Sequence, residues 1–155
     1  TGSFSHLETM PTHMPDAFES GTLNLPGIIG LNEGLAYIES VGMENIHNHE
    51  LALTKTFLEG LQDIEHINVI GKQNLQDRTA VVSITIDGMD AASIAYELES
   101  TYHIMTRVGL HCAPRAHQTL GTYPEGTVRF SFGYANTMED IETALSALTT
   151  IANKI

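Results

Sequence analysis

The sequence has one cysteine, few basic residues and no long apolar run, and each shortage argues against a class of protein. A single cysteine cannot form an internal disulfide, so we expect a chain suited to a reducing cytoplasm. Seven Lys and Arg against 19 Asp and Glu give a net charge of −12, which argues against binding nucleic acid or anionic membranes through the general surface. No apolar run approaches the roughly 20 residues of a membrane span, and the start lacks a signal-peptide pattern.

Hydrophobic periodicity predicts a small α+β domain. The 155 residues are 42% hydrophobic, which suits one domain with a core of its own. Apolar residues at helical spacing predict four helices, which begin at Pro26, near residue 44, after Asp90 and after Thr137. Strand patterns predict four strands, at 67–71, 80–86, 103–108 and 127–132. This order of elements predicts one sheet with helices packed on one of its faces.

The first part of the chain lacks such a pattern. Residues 1–25 show no hydrophobic period and are interrupted by proline and glycine, which favours an irregular lead-in. Ordered segments of this kind usually pack on something or serve a site. In the first predicted helix, Gly27, Gly30 and Gly34 form a bare stripe. Each glycine costs about 1 kcal/mol relative to alanine in a helix, so the stripe suggests close approach of another backbone, a ligand or a partner subunit.

Cys112 lies in a predicted loop over residues 106–126, and basic residues surround it in sequence. These are Arg107, His111, Arg115 and His117. Cationic neighbours favour the thiolate, which is the nucleophilic form of cysteine. Long ordered loops in compact domains are usually functional. A reactive cysteine is therefore one interpretation, and a buried structural thiol is an equally good one from composition alone. A zinc site from His111, Cys112 and His117 is a weaker alternative, because the spacing is not standard and no fourth ligand is near.

Arg129 lies in the middle of the last predicted strand, on the face opposite Val128 and Phe130. An arginine at such a position is either a surface charge or a fork that binds a carboxylate through two hydrogen bonds. The strand begins where the cysteine loop ends, which favours carboxylate binding.

Two segments resemble a known family. Arg107-Val-Gly-Leu-His-Cys-Ala-Pro114 and Gly126-Thr-Val-Arg-Phe-Ser-Phe-Gly-Tyr-Ala-Asn-Thr137 resemble the C-terminal end of cysteine desulfurases and selenocysteine lyases. Phe18-Glu-Ser-Gly-Thr22 and the residues up to Gly30 are similar to an upstream segment of the same family. These are class V aminotransferase-fold enzymes that use pyridoxal phosphate. The resemblance implies the small C-terminal domain of a fold-type I pyridoxal phosphate enzyme, with one mainly antiparallel sheet.

The resemblance also implies roles for single residues. Cys112 matches the cysteine that attacks the sulfur of the cofactor-bound substrate and becomes a persulfide. Arg129 matches the arginine that binds the substrate α-carboxylate. Arg107 and His111 match positions that flank the cysteine at the substrate-binding mouth. Thr22 matches a threonine that reaches the cofactor phosphate of the neighbouring subunit in a homodimer.

One departure from the family limits these expectations. The family holds its cofactor through a lysine that typically follows a histidine, whereas Lys55, Lys72 and Lys154 do not. We therefore expect a fragment: a lead-in at the active site and dimer interface, residues 1–25, and a small domain, 26–155, without the large cofactor-binding domain. The fragment alone would bind no cofactor and be inactive.

The full-length protein, by the same resemblance, is a homodimeric enzyme that removes sulfur from L-cysteine, leaves L-alanine, and passes the sulfur to an acceptor protein. Two alternatives stay open. One is another class V aminotransferase or lyase. The other is a stand-alone domain that binds a small carboxylate and regulates a partner.

Overall fold

The computed structural model of the chain describes residues 6–19 and 21–155. Its contacts group the residues into two units, Thr1–Met43 and Glu44–Ile155. The predicted domain boundary after residue 25 stays a prediction. In the part of the chain that is described, no helix is both long enough and apolar enough to cross a membrane.

The first unit consists of a 3-10 turn at Asp16–Phe18 followed by helix α1, Leu25–Val41. The side chain of Asn24 caps this helix by accepting a hydrogen bond from the N–H of Gly27 at 3.1 Å, and a proline occupies the first turn. The helix predicted to begin at Pro26 is thus confirmed. None of its residues is buried. The close approach predicted from the glycine stripe stays a prediction.

The second unit contains the sheet and the remaining helices. Its elements are α2 (Met43–Gln62), β1 (Ile67–Ile70), β2 (Val81–Ile86), α3 (Ala91–Tyr102), β3 (Arg107–Gly109), α4 (Pro114–Leu120), β4 (Thr127–Ser131) and α5 (Met138–Ala152). The strands form one antiparallel sheet in the order β1-β2-β4-β3. The predicted α+β class, with a mainly antiparallel sheet, is confirmed.

The core lies on one face of this sheet, because apolar residues alternate along β2 and β4. Val128 is fully buried and Phe130 is almost so. Phe57 of α2 packs between Phe130 and Phe132, with ring centroids 4.9 and 5.0 Å away. Helices α3 and α5 add further apolar side chains to the same cluster. Arg129 alternates with Val128 and Phe130 along β4, so its side chain lies on the other face.

Side-chain caps fix the ends of two helices as predicted. Asp90 accepts hydrogen bonds from the first N–H groups of α3, both at 3.0 Å. Thr137 and Asp140 form a capping box at the start of α5. The turn between β4 and α5 is also tied to α2, because Nε2 of His49 lies 2.8 Å from the carbonyl oxygen of Asn136.

Two predictions near the cysteine need correction. The strand predicted at 103–108 is shorter and starts later, because β3 consists only of Arg107–Gly109. Helix α3 continues to Tyr102, and His103 adopts a left-handed conformation (φ 57°) that ends the helix, so the chain becomes extended later than the apolar residues suggest. The predicted loop 106–126 contains a helix, α4, which begins at Pro114.

Phe57→Ala should lower the free energy of unfolding by roughly 3–5 kcal/mol, because it leaves a cavity against two aromatic rings. Tyr96 on α3 is 74% exposed, so Tyr96→Ala should change stability by no more than about 0.5 kcal/mol. Urea unfolding of both variants measures the difference. Equal losses would show that the aromatic cluster does not stabilise the sheet.

Candidate active site

The face of the sheet away from the core carries two arginines side by side. Arg107 of β3 lies directly opposite Arg129 of β4, and Ser83 of β2 is the partner of Arg129 on its other side. Like charges in cross-strand pairs are unfavourable by a few tenths of a kcal/mol or more. The buried Nε of Arg129 has no hydrogen-bond partner among the described residues. A bound anion would relieve both the repulsion and the unpaired donor.

Cys112 lies on a turn beside Arg107. The thiol is exposed, and Nη2 of Arg107 lies 3.9 Å from Sγ. His111 and Cys112 both have left-handed backbone conformations, with φ of 51° and 59°. Such conformations cost of order 1–3 kcal/mol each outside glycine and concentrate at functional sites. The exposed thiol does not fit the buried structural role left open from composition.

His111 contacts the backbone of Arg107 and the ring of His117 on helix α4, and it is half-buried. Burial lowers the pKa of its imidazole below the ordinary value. Electrostatic interactions with Arg129, His117 and Arg107 lower this pKa further, whereas a hydrogen bond from Nε2 to the carbonyl oxygen of Arg107, at 3.1 Å, opposes the shift. The net effect favours the neutral form of the ring.

Two glycines close the base of the cysteine segment, which is residues 107–126. Gly126 adopts φ 79°, and a Cβ added to it would collide with the backbone of Gly109 on β3. The N–H of Gly126 also donates to the carbonyl oxygen of Thr122 at 2.7 Å. A residue with a side chain at position 126 would force β3 and the end of the segment apart.

The structure brings four of the predicted site residues together: Arg107, His111, Cys112 and Arg129. Arg115 is exposed on α4. Thr22 is exposed in the first unit, ahead of the cap of α1, and Ser20 of the same motif lies outside the described residues. The roles of Arg107, His111, Cys112, Arg129 and Thr22 stay predictions.

The sequence pattern does not single out two polar residues of the site. Ser83 becomes a neighbour of Arg129 only through the register of β2 on β4. Thr122 meets His117 across the end of α4, with its hydroxyl oxygen 2.7 Å from Nδ1. In the sequence, a proline at the start of α4 and a glycine at its end are the signals for this helix, at whose end His117 and Thr122 meet.

No group of three or more His, Cys, Asp or Glu within residues 6–19 and 21–155 is arranged to hold a metal ion. The zinc alternative from His111, Cys112 and His117 therefore has no support from the geometry.

The fold and this site define a class of protein. The chain belongs to the class-V aminotransferase family, whose model, Aminotransferase class-V, matches residues 3–144.

Within this family, the chain is similar to the following individual proteins. The chain is 39% identical over 137 residues to a probable cysteine desulfurase of Pyrococcus abyssi, covering 88% of this chain and 33% of that protein. It is 36% identical over 138 residues to one of Mycolicibacterium paratuberculosis, covering 89% and 19%. The apo structure of the cysteine desulfurase from Thermococcus onnurineus superposes with a TM-score of 0.84 at 37% identity, covering 91% of this chain and 34% of that one. The chain thus spans about a third of the Pyrococcus and Thermococcus proteins.

The described residues do not by themselves fit the family's cofactor, pyridoxal phosphate, because no lysine lies in the cysteine segment. Lys55 pairs with Glu59 within α2, Lys72 donates to a backbone carbonyl at 3.3 Å, and Lys154 pairs with Glu97 at 2.5 Å. The unpaired Nε of Arg129 is instead a buried donor of the kind that pairs with a carboxylate.

Gly126→Ala should destabilise the chain more than Gly121→Ala. Both glycines have positive φ, so each alanine should lower the free energy of unfolding by about 1–2 kcal/mol because its left-handed conformation is unfavourable. A Cβ at position 121 meets no atom within 4 Å, whereas one at position 126 collides with backbone. Urea unfolding gives the two costs, and iodoacetamide labelling of Cys112 should change rate in Gly126→Ala alone. Equal costs and equal labelling rates would contradict the closure of the segment by these glycines.

Proposed function

We propose that the protein containing this chain is a cysteine desulfurase that depends on pyridoxal phosphate. It removes sulfur from L-cysteine, leaves L-alanine, and holds the sulfur as a persulfide on Cys112. One observation carries the proposal: an exposed thiol on a strained turn, beside a pair of arginines of which one has an unpaired buried donor. The names of the Pyrococcus and Mycolicibacterium relatives support the same reaction.

The proposed reaction balances without an added oxidant or reductant. The C–S bond of L-cysteine breaks, and an S–S bond forms between its sulfur and Sγ of Cys112. The carbon that loses sulfur gains a hydrogen and becomes the methyl group of L-alanine. The terminal sulfur of the persulfide retains one hydrogen. Reduction at carbon is thus matched by oxidation at sulfur.

Each residue of the site has a task in this proposal. Arg129 binds the α-carboxylate of the substrate through its guanidinium fork. Arg107 favours the thiolate of Cys112, because its guanidinium lies beside Sγ. His111 lines the substrate-binding mouth next to the thiol. Thr22 contacts the cofactor phosphate of the neighbouring subunit in a homodimer, an assignment supported by the resemblance of its motif.

The cofactor itself would be held by residues other than the three lysines described above. We therefore expect this chain alone to be inactive. The sulfur on Cys112 would pass to an acceptor, and an acceptor protein is the partner we propose. We place the protein in the cytoplasm, as the lone cysteine suggests.

Cys112→Ala in the full-length protein should abolish alanine and sulfide production from L-cysteine, by at least about 100-fold, since no other group replaces the nucleophile. The cofactor absorption band should be retained, because the substitution does not touch the cofactor's attachment. Both are measured with purified enzyme and a thiol reductant. Full activity in this variant would rule out Cys112 as the sulfur acceptor.

Product analysis with L-cysteine separates the alternatives. Alanine formed in equal amount to the sulfur released supports desulfuration, whereas a keto acid indicates transamination or another lyase reaction. Binding of small carboxylates without turnover would favour a domain that only binds them, for which the unpaired donor of Arg129 is the specific observation.

Arg129→Lys should lower kcat/KM for L-cysteine by about 10- to 100-fold, because a hydrogen bond to a charged group contributes roughly 1.5–3 kcal/mol and lysine cannot form the fork. Arg115→Lys on exposed α4 is the matched control and should leave kcat/KM unchanged. Cysteamine, which lacks the carboxylate, should bind both variants and the wild type equally. A loss of cysteamine binding as large as the loss for L-cysteine would contradict carboxylate recognition by Arg129.

A further inference from the structure

His117 is a buried histidine in the cysteine segment that the proposed reaction leaves without a role. Only 6% of its surface is exposed. Its Nδ1 lies 2.7 Å from the hydroxyl oxygen of Thr122, and the N–H of Thr122 donates to the carbonyl oxygen of His117 at 2.9 Å. Both a side-chain contact and a backbone hydrogen bond therefore fix this ring at the end of α4.

The fixed ring of His117 faces His111. The two ring centroids are 5.6 Å apart, and the ring planes meet at 33°. On its other side, His111 places Nε2 3.1 Å from the carbonyl oxygen of Arg107. A carbonyl oxygen can only accept, so Nε2 carries the proton. In the neutral ring Nδ1 is then the acceptor.

The charged and titratable groups around His111 favour the neutral form of its ring. They are Arg107 on β3, Arg129 on β4 and His117 on α4. Electrostatic interactions with these groups add to the effect of burial, and together they hold the pKa of His111 below its ordinary value. The ring is therefore still a base at a pH where an ordinary histidine has begun to accept a proton.

We propose that His117, anchored by Thr122, is a positioning residue that holds the ring of His111 with Nε2 on the carbonyl oxygen of Arg107, so that Nδ1 is left to accept the proton of the Cys112 thiol. The proposal rests on Cys112 being the nucleophile. It also accounts for the backbone, because consecutive left-handed residues at His111 and Cys112 persist only where the surrounding structure holds them. The ring of His117 is one such contact.

The first test follows His111 by NMR in the full-length protein labelled with 15N-histidine, with its signal assigned by its loss in His111→Gln. In the wild type we expect the Nε2–H tautomer and a titration midpoint below that of an exposed histidine. His117→Asn removes the ring, and Thr122→Val removes the anchoring hydroxyl. Both should raise the midpoint and mix the two tautomers.

Two further variants serve as matched controls for the NMR test. Thr122→Ser keeps the hydroxyl and should retain the wild-type midpoint. Thr119→Val removes another hydroxyl of α4, one that donates to the carbonyl oxygen of Arg115 at 3.1 Å, and should also change nothing. If His117→Asn does not fold, as judged by circular dichroism, the Thr122→Val and Thr122→Ser pair decides the question.

The second test is the single-turnover rate of persulfide formation on Cys112 as a function of pH, read by mass spectrometry of its peptide. The base is the neutral ring, so the rate falls as the pH drops through the midpoint of His111. In His117→Asn and Thr122→Val this fall should move to higher pH. The rate at neutral pH should decrease about tenfold, part of the 10²–10⁴-fold that general bases contribute, with KM for L-cysteine unchanged.

Two results would overturn the proposal. One is an unchanged midpoint and tautomer of His111 in folded Thr122→Val. The other is a shifted midpoint with an unchanged pH dependence of persulfide formation, which would remove His111 as the base. If the wild type forms no persulfide, the desulfurase assignment fails and the base role of His111 fails with it. The NMR titration still decides whether His117 positions His111.

Discussion

The two-sided pairing of β4 is the constraint on which the rest of the site depends. Because β2 and β3 hold this strand on both edges, its alternation is fixed, with Val128 and Phe130 toward the helices and Arg129 away from them. A shift by one residue would turn Arg129 into the core and Phe130 toward solvent. The packing of Phe57 on the aromatic side thus also determines where the guanidinium is presented.

Charge is distributed unevenly in this chain. The overall charge is −12, yet two of the four arginines are cross-strand neighbours at the cysteine. The acidic surface repels large polyanions, whereas the two arginines still attract a single carboxylate at short range. The same two guanidinium groups depress proton uptake by His111. The proposed recognition of the substrate and the lowered pKa of the neighbouring ring therefore share a physical cause.

The elements that the sequence predicts well are those whose signals are local. Alternation along Val81–Ile86, the cap at Asp90 and the capping box at Thr137 require no knowledge of distant residues. Helix α4 has seven residues and no side-chain cap, too short for a hydrophobic period to emerge. Strand β3 is predicted too long because apolar residues follow α3 before the chain joins the sheet.

The candidate site is predicted in the same uneven way. Cys112, Arg107 and Arg129 are chosen from residue type and motif. The two arginines are direct neighbours because β3 pairs with β4. Only the strand order of the folded sheet reveals this pairing. The contact between His117 and Thr122 depends on the geometry of one helix end. Tertiary structure determines such partners, and residue type alone does not predict them.

The exposure of Cys112 has a consequence for the fate of the sulfur it would carry. A sulfane sulfur held in a closed cavity can leave only by a path that the protein supplies. On an exposed turn it is open to attack by any thiolate in solution, at a rate set by that thiol's concentration and nucleophilicity. Small thiols would then compete with a dedicated acceptor at each turnover. Fidelity of delivery in such a protein would be decided by how fast the acceptor arrives and how long it stays.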